Sequence, residues 1–347
     1  MKAMIIKEFR QLRRDRRTVG LLVGLPIMLL VVFGYAAKFD VPSIETAVVG
    51  PNARAVATSL PSVYDVTTIA PGDTSADATT LLRNSDAAVA VVTSPAGNRL
   101  LIDGTNIFVA QTALRNIPPR TAPQVLFNPQ LRTADIMVPA LIGLILLFVG
   151  TVITSIGVVR EREQGTLEQL AVMPLRPVDV AIGKIAPYFL VGIVDLVVVT
   201  LVGVWLFHVP FVGSVWLFAL FGLVFLFVVL GLGVAISTVS RSQGEAIQLA
   251  IMVLLPQVIL SGMIFPLSSM AAGVRWIGYL LPLTWFIVGM RGIFLKGTDF
   301  AGLAEAFGIL VAMAIVVFGV AILRFRRDLA PKQTAAPTPT AAPIATE

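Results

Sequence analysis

Cysteine is absent from this 347-residue chain, histidine occurs once, at His208, and only 13% of the residues are charged. Each shortage excludes something. Without cysteine there is no disulfide and no thiolate chemistry, so any exported part folds without covalent cross-links. A single histidine leaves almost nothing for an imidazole-based metal or acid–base site. Soluble domains carry roughly a quarter charged residues. The deficit here, with 56% hydrophobic residues and a mean hydropathy of +0.89, points to a membrane protein. No Gly-x-x-x-x-Gly-Lys-Ser/Thr loop is present, since Gly183-Lys184 follows Val-Ala-Ile, so there is no P-loop to hold ATP. His-Glu-x-x-His and Gly-x-Ser-x-Gly are also missing, and hydrolytic chemistry is unsupported.

What is present is a series of apolar runs of about twenty residues or more, each long enough to cross a bilayer. They predict spans at residues 18–37, 136–159, 179–207, 213–239, 246–266 and 302–323, six in all, with both termini inside. A cleaved signal peptide is the rival reading of 18–37, but its apolar core is too long for an h-region of roughly 7–15 residues. Residues 1–17 carry seven Lys or Arg against two acids and read as an interfacial amphipathic helix on an anionic leaflet. The net charge of +6 does not indicate nucleic acid, because the cations cluster at the edges of apolar runs. Sixteen of the 26 fall in segments placed inside by the span count, as the positive-inside rule expects. The chain is therefore expected to be multi-pass in the plasma (inner) membrane.

Residues 38–134 are polar and rich in turn formers. Short β-like runs at 46–49, 63–69, 87–93 and 99–102, with helix-like stretches at 77–84 and 108–116, predict a small extracytoplasmic α/β domain. Asp103 and Asp135 stand beside turns and read as turn formers. The transmembrane domain follows over 135–324. Within it, residues 267–297 are broken by Pro266, Pro282 and Arg291 into pieces too short to span. Trp276, Tyr279 and Trp285 mark them as re-entrant or interfacial at the outer face. Residues 325–347 form a cytoplasmic tail whose Ala/Pro/Thr composition predicts disorder.

The densest charged stretch between two spans is Arg160-Glu161-Arg162-Glu163-Gln164-Gly165-Thr166-Leu167-Glu168-Gln169-Leu170, in a loop over 160–177. It cannot lie in hydrocarbon. Thr166 with Gln169 fits a capping box, and Leu167, Leu170 and Ala171 share a face. The stretch is either a solvated return loop or a short amphipathic helix that another protein grips. Inside the spans, Asp195 is the exceptional acid, which invites a proton relay or cation site, although no Lys, Arg, His or Glu shares its depth. Gln248, Gln257 and Ser261 on the fifth span are candidates for a translocation path or for polar helix packing.

Taken in order, these features resemble the permease subunit of type-2 ATP-binding-cassette exporters. The charged stretch with Pro174 and Gly183-Lys184 carries the resemblance. So do 260–266 with Leu281-Pro282-Leu283-Thr284 and Met290-Arg291-Gly292, and the outer segments 48–52 and 101–106. The resemblance covers nearly the whole chain. One departure is Ala271-Ala272, where relatives often carry a proline. It implies a non-catalytic permease that pairs with a second copy, as homo- or heterodimer, and rests on a separate ATPase subunit. This chain then needs no cofactor, ATP and Mg being bound by the partner. Glu161, Glu163, Gly165, Thr166, Leu167, Glu168 and Leu170 are expected to couple to that ATPase. The implied cargo is an amphipathic or hydrophobic compound: a drug, an antibiotic or a lipid-like molecule. The other readings are an ion-coupled carrier using Asp195 and a membrane-anchored scaffold whose outer domain binds a ligand.

Overall fold

In a computed structural model of the chain, the described residues are 43–95, 97–164 and 177–329. The basic N-terminal helix, the first span, Gly165–Leu170 of the charged stretch and the tail beyond 329 lie outside them.

The polar segment folds as β1 (Ile44–Val49), α1 (Ala53–Ser59), β2 (Tyr64–Ala70), α2 (Ser75–Asn84), β3 (Val89–Val92), β4 (Asn98–Asp103), α3 (Ile107–Arg115) and β5 (Thr121–Leu126). The sheet order is β2-β1-β3-β4-β5. Only β3 and β4 run antiparallel. Alternation along the strands sends Ile44, Val48, Val89, Val91, Leu100 and Ile102 to the face covered by α1 and α3. Ala47, Val49, Ala90, Val92 and Leu101 meet Ala78 and Leu82 of α2 on the other. Covering both faces is what a largely parallel sheet requires, and it explains why every residue of β3 is buried. A capping box starts α2: Thr74 N–H donates to Asp77 Oδ2 at 2.8 Å, and these bonds hold the Asp77 carboxyl below its usual range.

Tyr64 ties β2 to the end of α3, its hydroxyl donating to Asn116 O at 2.8 Å and lying 3.2 Å from Ala113 O. Burial pushes this phenol up to about 12. Between pH 10 and about 12 the folded state therefore keeps a proton that the unfolded state has lost, and domain stability falls across that window. Tyr64→Phe is expected to cost about 1 kcal/mol at neutral pH and to flatten the alkaline loss, as read from thermal melts against pH. An unchanged alkaline slope would assign the loss to another group.

The rest is a helical bundle: α4 (Thr133–Glu163), α5 (Pro177–Phe207), α6 (Val215–Val239), α7 (Gln243–Leu260), α8 (Ala272–Tyr279), α9 (Pro282–Arg291) and α10 (Phe300–Leu329). Helices α4, α5, α6, α7 and α10 are long and apolar enough to cross a membrane. They are the five runs expected after the polar domain. Two boundaries are corrected. The first run does not end at 159, because α4 continues through Arg160–Glu163. No glycine or proline occurs among residues 160–164, and Arg160 and Arg162 in the last turn suit the negative end of the helix dipole. The fourth run stops at Leu260 rather than 266 because Ser261 caps it and Gly262 takes φ 80°, a left-handed conformation that glycine adopts without cost.

Helix α6 is central, packed against α4 and α10. The ring of Phe225 stacks on Phe286 with centroids 4.1 Å apart, next to fully buried Phe221 and Phe294. Gly143 of α4 lies so close to the Phe286 ring that any Cβ there would collide with it, the close approach that small residues permit between membrane helices. Helices α8 and α9 bend by 76° at the break before Pro282, and α9 runs on as a π turn over Gly292–Lys296. Widening that turn frees the carbonyls of Ile293 and Phe294, which accept from Gly213 N at 2.9 Å and Val212 N at 3.1 Å.

Candidate functional site

The two ends of the bundle differ in chemistry. At one end, the last turn of α4 is held to the α6–α7 turn. Arg162 Nη1 donates to Ser237 O and Ser240 O, both at 3.1 Å, satisfying carbonyls that the end of α6 leaves open. Glu163 accepts from Gln243 N at 3.1 Å and from Gln243 Nε2 at 2.6 Å. Three helices are thereby pinned together where the charged stretch leaves α4.

At the other end the α/β domain is held to the bundle by Lys296. Its Nζ lies 2.6 Å from Asp103 Oδ2 and donates to Leu82 O at 2.9 Å and Ser85 Oγ at 2.8 Å, so all three ammonium protons have acceptors. Thr298 Oγ1 donates to Arg83 O at 3.0 Å beside it. The bundle thus caps the C-terminus of α2 with a cation, the charge that a helix end favours. Asp103 is a turn former as expected, its Oδ1 accepting from Thr105 N at 2.9 Å and Thr105 Oγ1 at 2.7 Å. Its second oxygen makes the inter-domain contact.

Between the α/β domain and the bent helices lies a cavity of about 470 Å³. The bundle contributes Ser261, Gly262, Pro266, Arg275, Tyr279 and Arg291, and the domain contributes Glu45, Asp65, Arg83 and Asp103. Arg275 Nη2 donates to Ser268 O at 2.8 Å and Met270 O at 3.1 Å. Arg291 reaches Gly262 O at 3.3 Å and Met263 O at 3.4 Å. These bonds explain the irregular segment after α7: two guanidinium groups collect its open carbonyls.

The sequence candidates separate under this geometry. Glu161 and Glu163 end α4, while Gly165, Thr166, Leu167, Glu168 and Leu170 lie outside the described residues. Asp195 is half-buried on α5, with Oδ2 buried and without a hydrogen-bond partner. Gln257 and Ser261 are both buried, but Gln248 is exposed. Nine residues at about 100° each put Gln248 half a turn away from Gln257, so the three do not line one path. Gln257 Oε1 accepts from Leu283 N at 3.4 Å, capping the first turn of α9, where Pro282 occupies a position that needs no N–H. Pro266 and Arg291 line the cavity. Lys296 and Arg275 were not singled out by the sequence reading, although a lysine directly after Ile293-Phe294-Leu295 is the kind of misplaced charge that marks a site. Among the described residues no group of three or more His, Cys, Asp or Glu side chains comes together to hold a metal.

A family model described as "ABC-2 family transporter protein" matches residues 16–323. The chain is 32% identical over 204 residues to a "Probable multidrug ABC transporter permease YbhS" of Escherichia coli K12, covering 58% of this chain and 54% of that protein. It is 30% identical over 203 residues to "Probable multidrug ABC transporter permease YbhR" of the same organism, covering 58% and 55%. It is 35% identical over 182 residues to "Inner membrane transport permease YhhJ", covering 51% and 48%. The chain spans about half the length of the curated relatives it matches.

Proposed function

Since the chain belongs to the ABC-2 transporter family, we propose that it is the permease subunit of an exporter that moves amphipathic or hydrophobic compounds out of the cell, driven by ATP hydrolysed on a separate ATPase subunit. Two permease copies, identical or related, form the membrane path. The α/β domain faces outward, and the charged end of α4 faces the cytoplasm and the ATPase. The observation that carries the reading is the pinned end of α4. Arg162 and Glu163 fix three helices where a carboxylate- and leucine-rich stretch departs, so a pull on that stretch moves a rigid group of spans and not one strand of chain. Glu163 accepts two hydrogen bonds from Gln243 within the chain; the contact with the ATPase is assigned to Glu161, Glu168, Leu167 and Leu170. Cations concentrated at the segments assigned to the inside support the orientation.

The test is co-purification of the tagged permease with its ATPase from native membranes. Leu167→Asp should abolish recovery of the ATPase or reduce it at least tenfold, and Glu161→Ala should weaken it. Equal ATPase recovery with Leu167→Asp, or no ATPase with the wild type, would remove the coupling assignment. A second reading, an ion-coupled carrier with Asp195 as coupling acid, draws on the buried unpaired Oδ2 of that residue. It predicts transport that outlasts ATP depletion and disappears in Asp195→Asn. The exporter reading predicts loss on ATP depletion.

A further inference from the structure

The cavity between the α/β domain and the bent helices carries hydrogen-bond donors that nothing in the fold uses. Arg275 Nε, Arg291 Nε and Ser261 Oγ are each buried and each without a partner, and all three residues line this one cavity. An unsatisfied buried donor is costly, and three on one wall need an explanation that packing does not supply. Among the described residues the guanidinium groups also have no carboxylate in contact with them. Their remaining bonds go to the main-chain carbonyls of Ser268, Met270, Gly262 and Met263, which neutralise nothing. Among the described residues no carboxylate lies within ion-pair distance of either. Asp103, the buried acid of the cavity, is in contact with Lys296 at 2.6 Å and acts on Arg291 only from beyond contact distance. Glu45 and Asp65 are exposed and belong to the domain side.

We infer that the Arg275–Arg291–Ser261 wall binds the acidic head group, phosphate or carboxylate, of an amphipathic anion. Guanidinium Nε–H and Nη–H donors present a fork that suits such oxyanions, and Ser261, 2% exposed, adds a hydroxyl that accepts no other duty. All three donors sit on bundle elements, at the end of α7, on α8 and on α9. Tyr279 and Val288 line the cavity and are also exposed on the apolar outer surface of the bent pair, next to Leu280 at 62% and Trp276 at 57% exposure. An occupant can therefore keep its head among the arginines and lay its tail against that surface. A volume of about 470 Å³ is within the usual size of a small-molecule site. The inference rests on the exporter reading only in naming the occupant as cargo; the binding site itself is independent of it.

The test uses the full chain in a non-ionic detergent, with tryptophan fluorescence as readout, since Trp276 and Trp285 flank the bend. Three probes are titrated: dioctanoyl phosphatidic acid, dioctanoylglycerol and inorganic phosphate. Phosphatidic acid should saturate, and the neutral diacylglycerol should bind at least tenfold more weakly. Arg275→Gln and Arg291→Gln should each weaken phosphatidic acid at least tenfold, and Ser261→Ala about threefold. Arg275 and Arg291 both also hold the chain after α7, so Ser261→Ala decides the matter if either arginine variant fails to fold. Equal binding of the acid and neutral amphiphiles, or affinity unchanged in Arg275→Gln and Ser261→Ala, overturns the site. Inorganic phosphate binding as tightly as phosphatidic acid overturns its amphipathic character. Retention of the ATPase is a separate measurement, so the loss of this site leaves the coupling assignment standing, and the reverse.

Discussion

Lys296→Met should destabilise the attachment of the α/β domain by about 3–5 kcal/mol, the range for breaking a buried ion pair from one side. The lysine side chain is 4% exposed and that of Asp103 9%, so the variant leaves a carboxylate buried without the cation now in contact with it. It also leaves Leu82 O and Ser85 Oγ without the donor that now serves them, and it removes the cation over the Phe127 ring at 5.6 Å. The loss should be local before it is global. Hydrogen exchange should accelerate at the end of α2 and along Gly292–Thr298 while the sheet centre stays protected. Asp103→Asn in the same chain should recover much of the loss. An asparagine can still accept from Thr105 through Oδ1, and it removes the buried charge that Lys296→Met strands. A double variant as unstable as the single, or a single variant with unchanged exchange, would mean that the pair does not carry the attachment. Asp103→Asn alone should cost less than Lys296→Met, because Lys296 keeps two neutral acceptors.

That pair also marks the limit of what the sequence discloses. The membrane helices were legible because each is an apolar run of span length, and their order follows from counting. Four strands and two helices of the α/β domain were legible from alternation and turn residues. Strand β5 was not: Pro123 interrupts it, and Ala122, Pro123 and Gln124 all face solvent, so it has neither the composition nor the alternation of a covered strand. Helix α1 is short and built mostly from small residues over Ala53–Ser59, with no acid in its first turn and no base in its last. The sequence assigns Arg160–Glu163 to a loop because charge density hides the helical continuity that carries α4 to Glu163. Lys296 and Asp103 each looked ordinary beside a glycine turn. Their meeting is a tertiary fact, made by the docking of α2 on the π turn. The same holds for the cavity donors: Arg291 belonged to a recognised motif, but its unpaired Nε and its proximity to Arg275 and Ser261 exist only once α8 folds back on α9.

Arg162→Ala should separate ATPase binding from the motion that binding drives. Arg162 makes two charge-assisted bonds to the last turn of α6, each worth about 1.5–3 kcal/mol, where only the Glu163–Gln243 bonds to α7 would otherwise hold the end of α4. Their loss shifts the balance between a pinned and a loose α4 end by roughly a hundredfold or more. The surface proposed to meet the ATPase, around Leu167, is untouched by this change, so the partner should still co-purify. What should fail is transmission through α6 and α7 to the bent helices. The absence of cysteine from the chain makes this measurable without background: a single Leu280→Cys, at a residue 62% exposed, accepts an environment-sensitive fluorophore beside the cavity. In the assembled complex ATP should change its emission, and Arg162→Ala should reduce that change about tenfold with ATPase recovery preserved. Both bonds leave one nitrogen, Nη1, so Arg162→Lys should restore part of it: an ammonium can also donate to two carbonyls, but it sits one bond nearer the main chain. A full ATP response in Arg162→Ala would place the transmission route elsewhere than the pinned end of α4. A response lost together with the ATPase would make Arg162 part of the docking surface itself.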